Sequence, residues 1–211
     1  MKVYLTNKKK GMKKIIIATL TLFSVFSVQA QKNSILLGTD FSYKRKNSYY
    51  DIKTNEVTFT PVIAYEVADN WFVGAKTSLT WDKNTSGDYQ IKSYESKVGG
   101  FVRYYKPFSE TFGVYADLGA GYQQYRKDTK YETIALDEYR VRRSGYYIDF
   151  VPALFINFKN NFGLNVSIGG IEWNDTKENT AFKYNESSKT KDFDITFGKA
   201  IQVGVTKKFS F

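Results

Sequence analysis

The stretch Ala200–Phe211 reads AIQVGVTKKFSF. Ile201, Val203, Val205, Phe209 and Phe211 alternate with small or polar residues. Alternation with a period of two marks a β-strand whose two faces meet different surroundings. Lys207 interrupts the apolar face close to its end, where a long aliphatic stem lets the ammonium snorkel. Such a strand suits either a sheet with hydrocarbon on one side or a sheet folded over its own core. The other strands decide between the two.

Working back from this segment, the same period recurs over about 34–44, 56–68, 71–82, 92–106, 112–126, 139–158 and 162–173, with 193–211 as the eighth. Each has roughly the 9–11 residues that a tilted strand needs to cross a bilayer, or more. Short turns at Ala68-Asp69-Asn70, Lys106 to Thr111 and Lys159-Asn160-Asn161 alternate with longer polar connections at 45–55, 83–91, 127–138 and 174–192. Turns at one end and loops at the other imply antiparallel neighbours running up and down, with both termini at the turn end. A weak internal echo links FTPVIAYEVADNWFVG from Phe59 with FVPALFINFKNNFGLN from Phe150, matching Pro61 with Pro152 and Asn70 with Asn161.

The contents of the two rows fix which way they face. One row holds Leu37, Phe41, Ile63, Val73, Val98, Val102, Leu118, Ile148, Leu154, Leu164, Val203 and Val205 among others. The other holds Gly38, Gly74, Gly99, Gly113, Gly119, Gly121, Gly163, Gly169, Gly198 and Gly204, interleaved with Asp40, Glu66, Lys76, Glu95, Lys97, Arg103, Asp117, Asp149, Asn165 and Gln202. An eight-stranded barrel is narrow inside. Glycine with a few long polar chains fits there, whereas a complete shell of large apolar groups does not. The expected fold is therefore all-β: an eight-stranded antiparallel up-and-down transmembrane β-barrel with the small and charged row inside. Closure satisfies every backbone polar group, as hydrocarbon requires. Tyr43, Trp81, Tyr122 and Tyr146 at the loop end, and Tyr65, Trp71, Tyr104, Phe158, Phe209 and Phe211 at the turn end, form candidate aromatic girdles. Pro61 and Pro152 fall within strands, where each removes a ladder donor, so bulges or broken pairs are expected beside them.

Residues 1–30 stand apart. Lys13 and Lys14 precede an almost wholly apolar run from Ile15 to Val28, and Val28-Gln29-Ala30 fits a small-residue cleavage site, the layout of a secretory signal peptide. Met12 is an alternative start. Residues 31–211 then form one barrel domain. Residues 1–30 carry six of the 31 basic residues and none of the 21 acidic ones, leaving the other 181 residues at +4. That modest charge calls for no nucleic-acid partner. Cysteine and histidine are both absent. Their absence removes disulfides, a lipidated cysteine, the commonest general base and the commonest metal ligand. No catalytic residue, metal site or cofactor is expected.

The spacing P-x-x-x-Y-x-V-x-D-N-x-x-x-G from Pro61 to Gly74 resembles a hairpin of the small outer-membrane β-barrel domains of Bacteroidota. The Ala30-Gln31 junction looks like exports of those bacteria, and the terminal Phe211 is similar to the C-terminal strand signal read by the outer-membrane insertion machinery. Ala64 stands where the hairpin usually has glycine. The resemblance implies an integral outer-membrane protein, architecturally similar to outer membrane proteins A and X, in contact with outer-membrane lipid and lipopolysaccharide and expected to be monomeric.

Two residue sets carry the functional expectations. Asp40, Glu66, Lys76, Arg103, Asp117 and Asp149 point into the lumen and read as a salt-bridged plug, or alternatively as the gate of a narrow small-solute pore. Arg45, Arg126, Arg140 and Arg142 have outward parity above the upper girdle, where guanidinium forks suit lipopolysaccharide phosphates; ordinary solvated charges at strand ends are the alternative. A soluble periplasmic ligand-binding barrel is the third reading.

Overall fold

The computed structural model describes residues 34–47, 53–86, 89–131, 139–180, 187–198 and 201–210. The segment read as a signal peptide and the terminal Phe211 lie outside the described residues. Ten strands are present among the described residues: β1 (Ser34–Asn47), β2 (Lys53–Ala68), β3 (Trp71–Ser86), β4 (Tyr89–Pro107), β5 (Phe112–Tyr131), β6 (Tyr139–Asn157), β7 (Phe162–Ser167), β8 (Ile171–Thr180), β9 (Ser187–Ile195) and β10 (Gln202–Ser210). Strands β1 to β6 pair in sequence. The lower part of β6 pairs with β7, β7 with β10, and β10 with β1, so eight strands close a ring in which every pairing is antiparallel.

The expectation of eight unbroken segments is corrected in one place. The segments 162–173 and 193–211 are each split: β7 ends at Ser167 and β8 begins at Ile171, while β9 ends at Ile195 and β10 begins at Gln202. Strand β8 continues the line of β7 beside the upper part of β6, and β9 pairs with β8. Ten strands thus occupy eight positions, and much of the polar stretch 174–192 is strand rather than loop.

Proline accounts for the break. Pro152 pairs with Ala116 on one side. On its other side the ladder runs to Ala153↔Ser167 and resumes at Phe150↔Ile171, one residue out of step. Pro152 has no N–H to bridge that gap. Gly169 turns the chain there with φ 100°, a conformation open to glycine. The two breaks satisfy each other: the Thr196 N–H donates to the Gly170 carbonyl at 2.9 Å and the Gly198 N–H to the Ile168 carbonyl at 2.7 Å. Gly169 and Gly198, expected within strands of the lumen row, are turning residues instead, and Gly198 faces open space. Pro61 acts similarly. It pairs with Thr39 of β1, while the β2–β3 ladder skips from Phe59↔Leu79 to Val62↔Lys76.

The internal echo extends to conformation. Asn70, Asn160 and Asn161 all have φ between 60° and 65°, the left-handed region that asparagine tolerates in tight turns. These are the expected short turns at one end of the ring.

The two rows face as expected. Ile63, Val98, Leu118, Ile148, Leu154 and Val205, from five strands, are each 48–58% exposed on the outside. The lumen departs from the expected mixture of glycine and charge. Near the turn end it is filled by Leu36, Val62, Ala64, Phe72 and Phe101, and by Tyr115, Ala153 and Phe155, with Tyr105 packed against both groups. Inward aromatics fit because glycines stand beside them: a Cβ on Gly99 would lie 2.6 Å from the Tyr147 hydroxyl, and one on Gly113 would lie 2.7 Å from the Phe155 ring.

Candidate functional site: an occluded lumen and a basic rim

The lumen charges pair off rather than meeting at one point. Arg103 of β4 and Asp117 of β5 are directly opposite in register. The guanidinium donates from Nε to Oδ1 at 2.6 Å and from Nη2 to Oδ2 at 2.8 Å, and from Nη1 to the Tyr105 hydroxyl at 3.1 Å. It lies 3.9 Å from the Tyr115 ring centroid and 5.3 Å from that of Phe101. Arg103 is only 1% exposed. A planar fork seated against aromatic faces uses the features that distinguish arginine from lysine.

Lys76 of β3 reaches across to Asp149 of β6, Nζ to Oδ2 at 2.7 Å. These strands are three positions apart in the ring, so the bond crosses the lumen. Gly119 makes the crossing feasible, since a Cβ there would lie 3.0 Å from Lys76 Nζ and against the Asp149 carboxylate. Glu66 of β2 accepts from Lys208 of β10 at 2.7 Å and from the Ser34 hydroxyl. Asp40 lines the upper cavity described below and, among the described residues, has no ion pair.

Four members, Glu95, Lys97, Glu172 and Lys208, fall outside the six charges expected to form the plug. Lys97 of β4 bonds Glu172 of β8 at 2.6 Å and Glu95 at 3.3 Å, a second crossing of the lumen. Lys97 and Glu95 have inward parity in the sequence, but Glu172 lies just past the break, where parity alone does not carry over. Lys208 was missed because β10 alternates less cleanly near its end.

The aromatic and Arg103–Asp117 layer separates two cavities. The upper, of about 230 Å³, is lined by Asp40, Thr60, Lys76, Lys97, Asp149 and Glu172 among others. The lower, of about 290 Å³, opens at the turn end and is lined by Leu36, Phe72, Tyr105, Phe155, Asn165 and Lys208 among others.

The outer surface carries a basic rim above Trp81, Tyr94, Tyr122 and Tyr146. Strand β3 runs further than expected, so Lys83, assigned to a loop by the sequence reading, sits on it beside Lys92, the first residue of the expected segment 92–106. Arg126, Arg140 and Arg142 come together on β5 and β6, with Arg126 opposite Arg142 and Asp128 opposite Arg140. Asp128 accepts from Arg126 at 2.9 Å and from Arg140 at 3.0 Å. This carboxyl lies beyond the Tyr122 girdle. Its slight burial pushes its pKa up, and the two guanidinium bonds outweigh that and hold it below the ordinary value. Arg45 is apart from the group, on β1 opposite Asn55.

Ring, outward apolar belt and filled lumen define a closed antiparallel barrel of the membrane-spanning type. No family model matches the chain, and no curated protein matches it. Solved structures similar to it are outer-membrane β-barrel proteins. The outer membrane protein OprG from Pseudomonas aeruginosa is 17% identical over 84% of this chain and 96% of that one, with a TM-score of 0.48. Ail, the attachment invasion locus protein of Yersinia pestis, in complex with the heparin analogue sucrose octasulfate, is 15% identical over 84% and 97%, with a TM-score of 0.44. Neisserial surface protein A is 12% identical over 83% and 97%, with a TM-score of 0.40. The ring itself rests on the strand pairing above.

Proposed function

We propose that the protein is an integral outer-membrane barrel with a structural or surface-interaction role, its lumen closed and its loop end turned outward. The carrying observation is the apolar row exposed around the ring while the ion pairs face inward. In water that surface would be an aggregation site, whereas in lipid it is the required one. A soluble ligand-binding barrel needs the opposite arrangement. The Arg103–Asp117 layer favours a plug over the pore reading, because two cavities stand back to back with buried aromatics between them.

The same reading gives the protein no catalytic role. Its partners are outer-membrane lipid and the lipopolysaccharide met by the basic rim, with the insertion machinery reading the C-terminal strand that ends at Phe211. A monomer fits a ring that leaves no edge over its β1–β10 closure. The hairpin spacing from Pro61 to Gly74 supports a source among the small barrel domains of Bacteroidota.

Two measurements on refolded protein test this. Unboiled protein is expected to migrate faster than boiled protein on a detergent gel, as a barrel that resists detergent does. In planar bilayers at neutral pH no steady single-channel steps are expected. Identical migration would remove the barrel; steady steps would replace the plug with a pore.

A further inference from the structure

Two pairs of like charges stand face to face on the outer surface. Lys83 of β3 is directly opposite Lys92 of β4, and Arg126 of β5 is directly opposite Arg142 of β6. All four side chains are exposed. Register joins the pairs into one patch, since Tyr94 is opposite Arg126 and Lys92 opposite Asp128. Like charges placed opposite each other weaken a sheet. Among the described residues one outward carboxylate, Asp128, lies among them, and Arg126 and Arg140 already hold it. Among the described residues Lys83, Lys92 and Arg142 have no ion-pair partner. Among the described residues nothing else offsets this repulsion, and an anion seated over the patch would.

The patch has an apolar floor. Trp81 and Tyr94 pack with ring centroids 5.9 Å apart, two residues below Lys83 and Lys92. Tyr122 and Tyr146 pack at 5.7 Å below Arg126 and Arg142. A groove of about 650 Å³ runs along Trp81, Lys83, Lys92, Tyr94 and Arg126. A second, of about 440 Å³, adjoins it along Tyr94, Tyr122, Arg126 and Arg142. Below both lie Val98 and Leu118 of the apolar belt. Lys177 and Lys189 repeat the like-charge pairing on β8–β9, with Asp175 opposite Lys191 two residues along.

We propose that the outer face of β3–β6 seats a phosphorylated glycolipid of the outer leaflet. Its phosphates lie over Lys83, Lys92, Arg126 and Arg142, and its sugar–acyl junction lies on the Trp81–Tyr94 and Tyr122–Tyr146 pairs. Cations over aromatics, over an aliphatic belt, match the order of phosphate, amphipathic junction and acyl chain along such a lipid. A soluble anion needs only the first layer. The inference rests on the reading that the barrel stands in the outer membrane with these aromatics at headgroup depth.

The test uses refolded full-length protein in nanodiscs of a zwitterionic phospholipid doped with bis-phosphorylated lipid A or with its dephosphorylated form. The readout is lipid A retained per barrel after transfer to detergent. Wild type is expected to retain the phosphorylated form at least about tenfold better, the scale of one or two charge-assisted bonds. The triple variant Lys83→Gln, Lys92→Gln, Arg142→Gln is expected to lose about tenfold. Arg45→Gln, on the distant strand β1, is expected to stay within about twofold. Should the triple variant refold poorly, Lys83→Glu serves instead: it turns a repulsive pair into an attractive one, and is expected to raise thermal stability while lowering retention. Inorganic phosphate at millimolar concentration is expected not to displace the lipid. Equal retention of both lipid forms, displacement by phosphate alone, or unchanged retention in the variants would overturn the seat. Loss of heat-modifiable migration in wild type would instead overturn the barrel reading beneath it.

Discussion

Arg103 and Asp117 face each other across the β4–β5 ladder and join through two parallel bonds of 2.6 and 2.8 Å, inside a cage made by Phe101, Tyr105 and Tyr115. The position is where a barrel that conducts would need to be open.

Removing one partner leaves an unpaired charge in that cage. Arg103→Met is expected to cost about 3–5 kcal/mol, read by denaturant unfolding of the refolded barrel in lipid vesicles. The double variant Arg103→Met, Asp117→Leu is expected to recover most of the loss, because an apolar pair replaces the ionic one. Simple additivity of the two changes would show that the pair does not act as a unit.

The same layer sets conductance. Cutting Arg103, Asp117 and Tyr115 to alanine together removes the partition between the upper and lower cavities. Steady ionic steps in planar bilayers are expected from that variant and absent from wild type. A silent variant would place the barrier elsewhere in the lumen.

Depth on the outer surface is measurable by charge. Val98 is 57% exposed in the middle of the apolar row, and Tyr43 is 56% exposed at the upper girdle. Val98→Arg is expected to destabilise by about 2–4 kcal/mol, and Tyr43→Arg by about 0–1. Equal costs would contradict a lipid belt at this height.

Gly119 is the test of lumen packing. A side chain there meets Asp149 and Lys76. Gly119→Val is expected to destabilise by about 1–3 kcal/mol, with loss of the Lys76–Asp149 contact. Gly198→Ala probes a different cause: a Cβ has open space there but φ is 74°, so any loss comes from backbone strain alone.

Asp128 carries the pH dependence of the rim. Its folded pKa is depressed by its bonds to Arg126 and Arg140 despite slight burial. The contacts therefore contribute above the unfolded carboxyl value and are lost as pH falls through the lower folded value. A carboxyl-detected NMR titration is expected to place Asp128 below the usual aspartate range, and Arg126→Gln with Arg140→Gln to bring it back up. An unchanged titration in that variant would deny the bonds their role.

Much of this architecture is legible in the sequence, for a physical reason. A strand between lipid and lumen must change character at every residue, so Val203, Val205 and their counterparts announce their face directly. The prolines also announce the broken ladders beside them. What parity does not give is the split of the last two positions. Ile168 to Gly170 shifts the register, and beyond such a shift odd and even exchange their meaning, which hid Glu172 as the partner of Lys97. The inward aromatics were hidden differently. Phe72, Tyr105, Tyr115 and Phe155 look like outward residues by type, and their welcome inside depends on glycines on neighbouring strands, a relation across the ring rather than along the chain. For the rim, Arg126, Arg140, Arg142 and Lys92, which opens the expected segment 92–106, were visible by parity, whereas Lys83 required knowing that β3 continues past the girdle.

The two lysines that reach over the lumen link positions that are not neighbours: Lys76 ties β3 to Asp149 on β6, and Lys97 ties β4 to Glu172 on β8. They act as spokes at right angles to the hoops of backbone hydrogen bonds. Lateral squeezing by the surrounding bilayer would tend to flatten the cylinder into an oval, and each spoke resists one direction of that flattening, keeping the cross-section round where the wall itself is broken, after Ser167 and after Ile195.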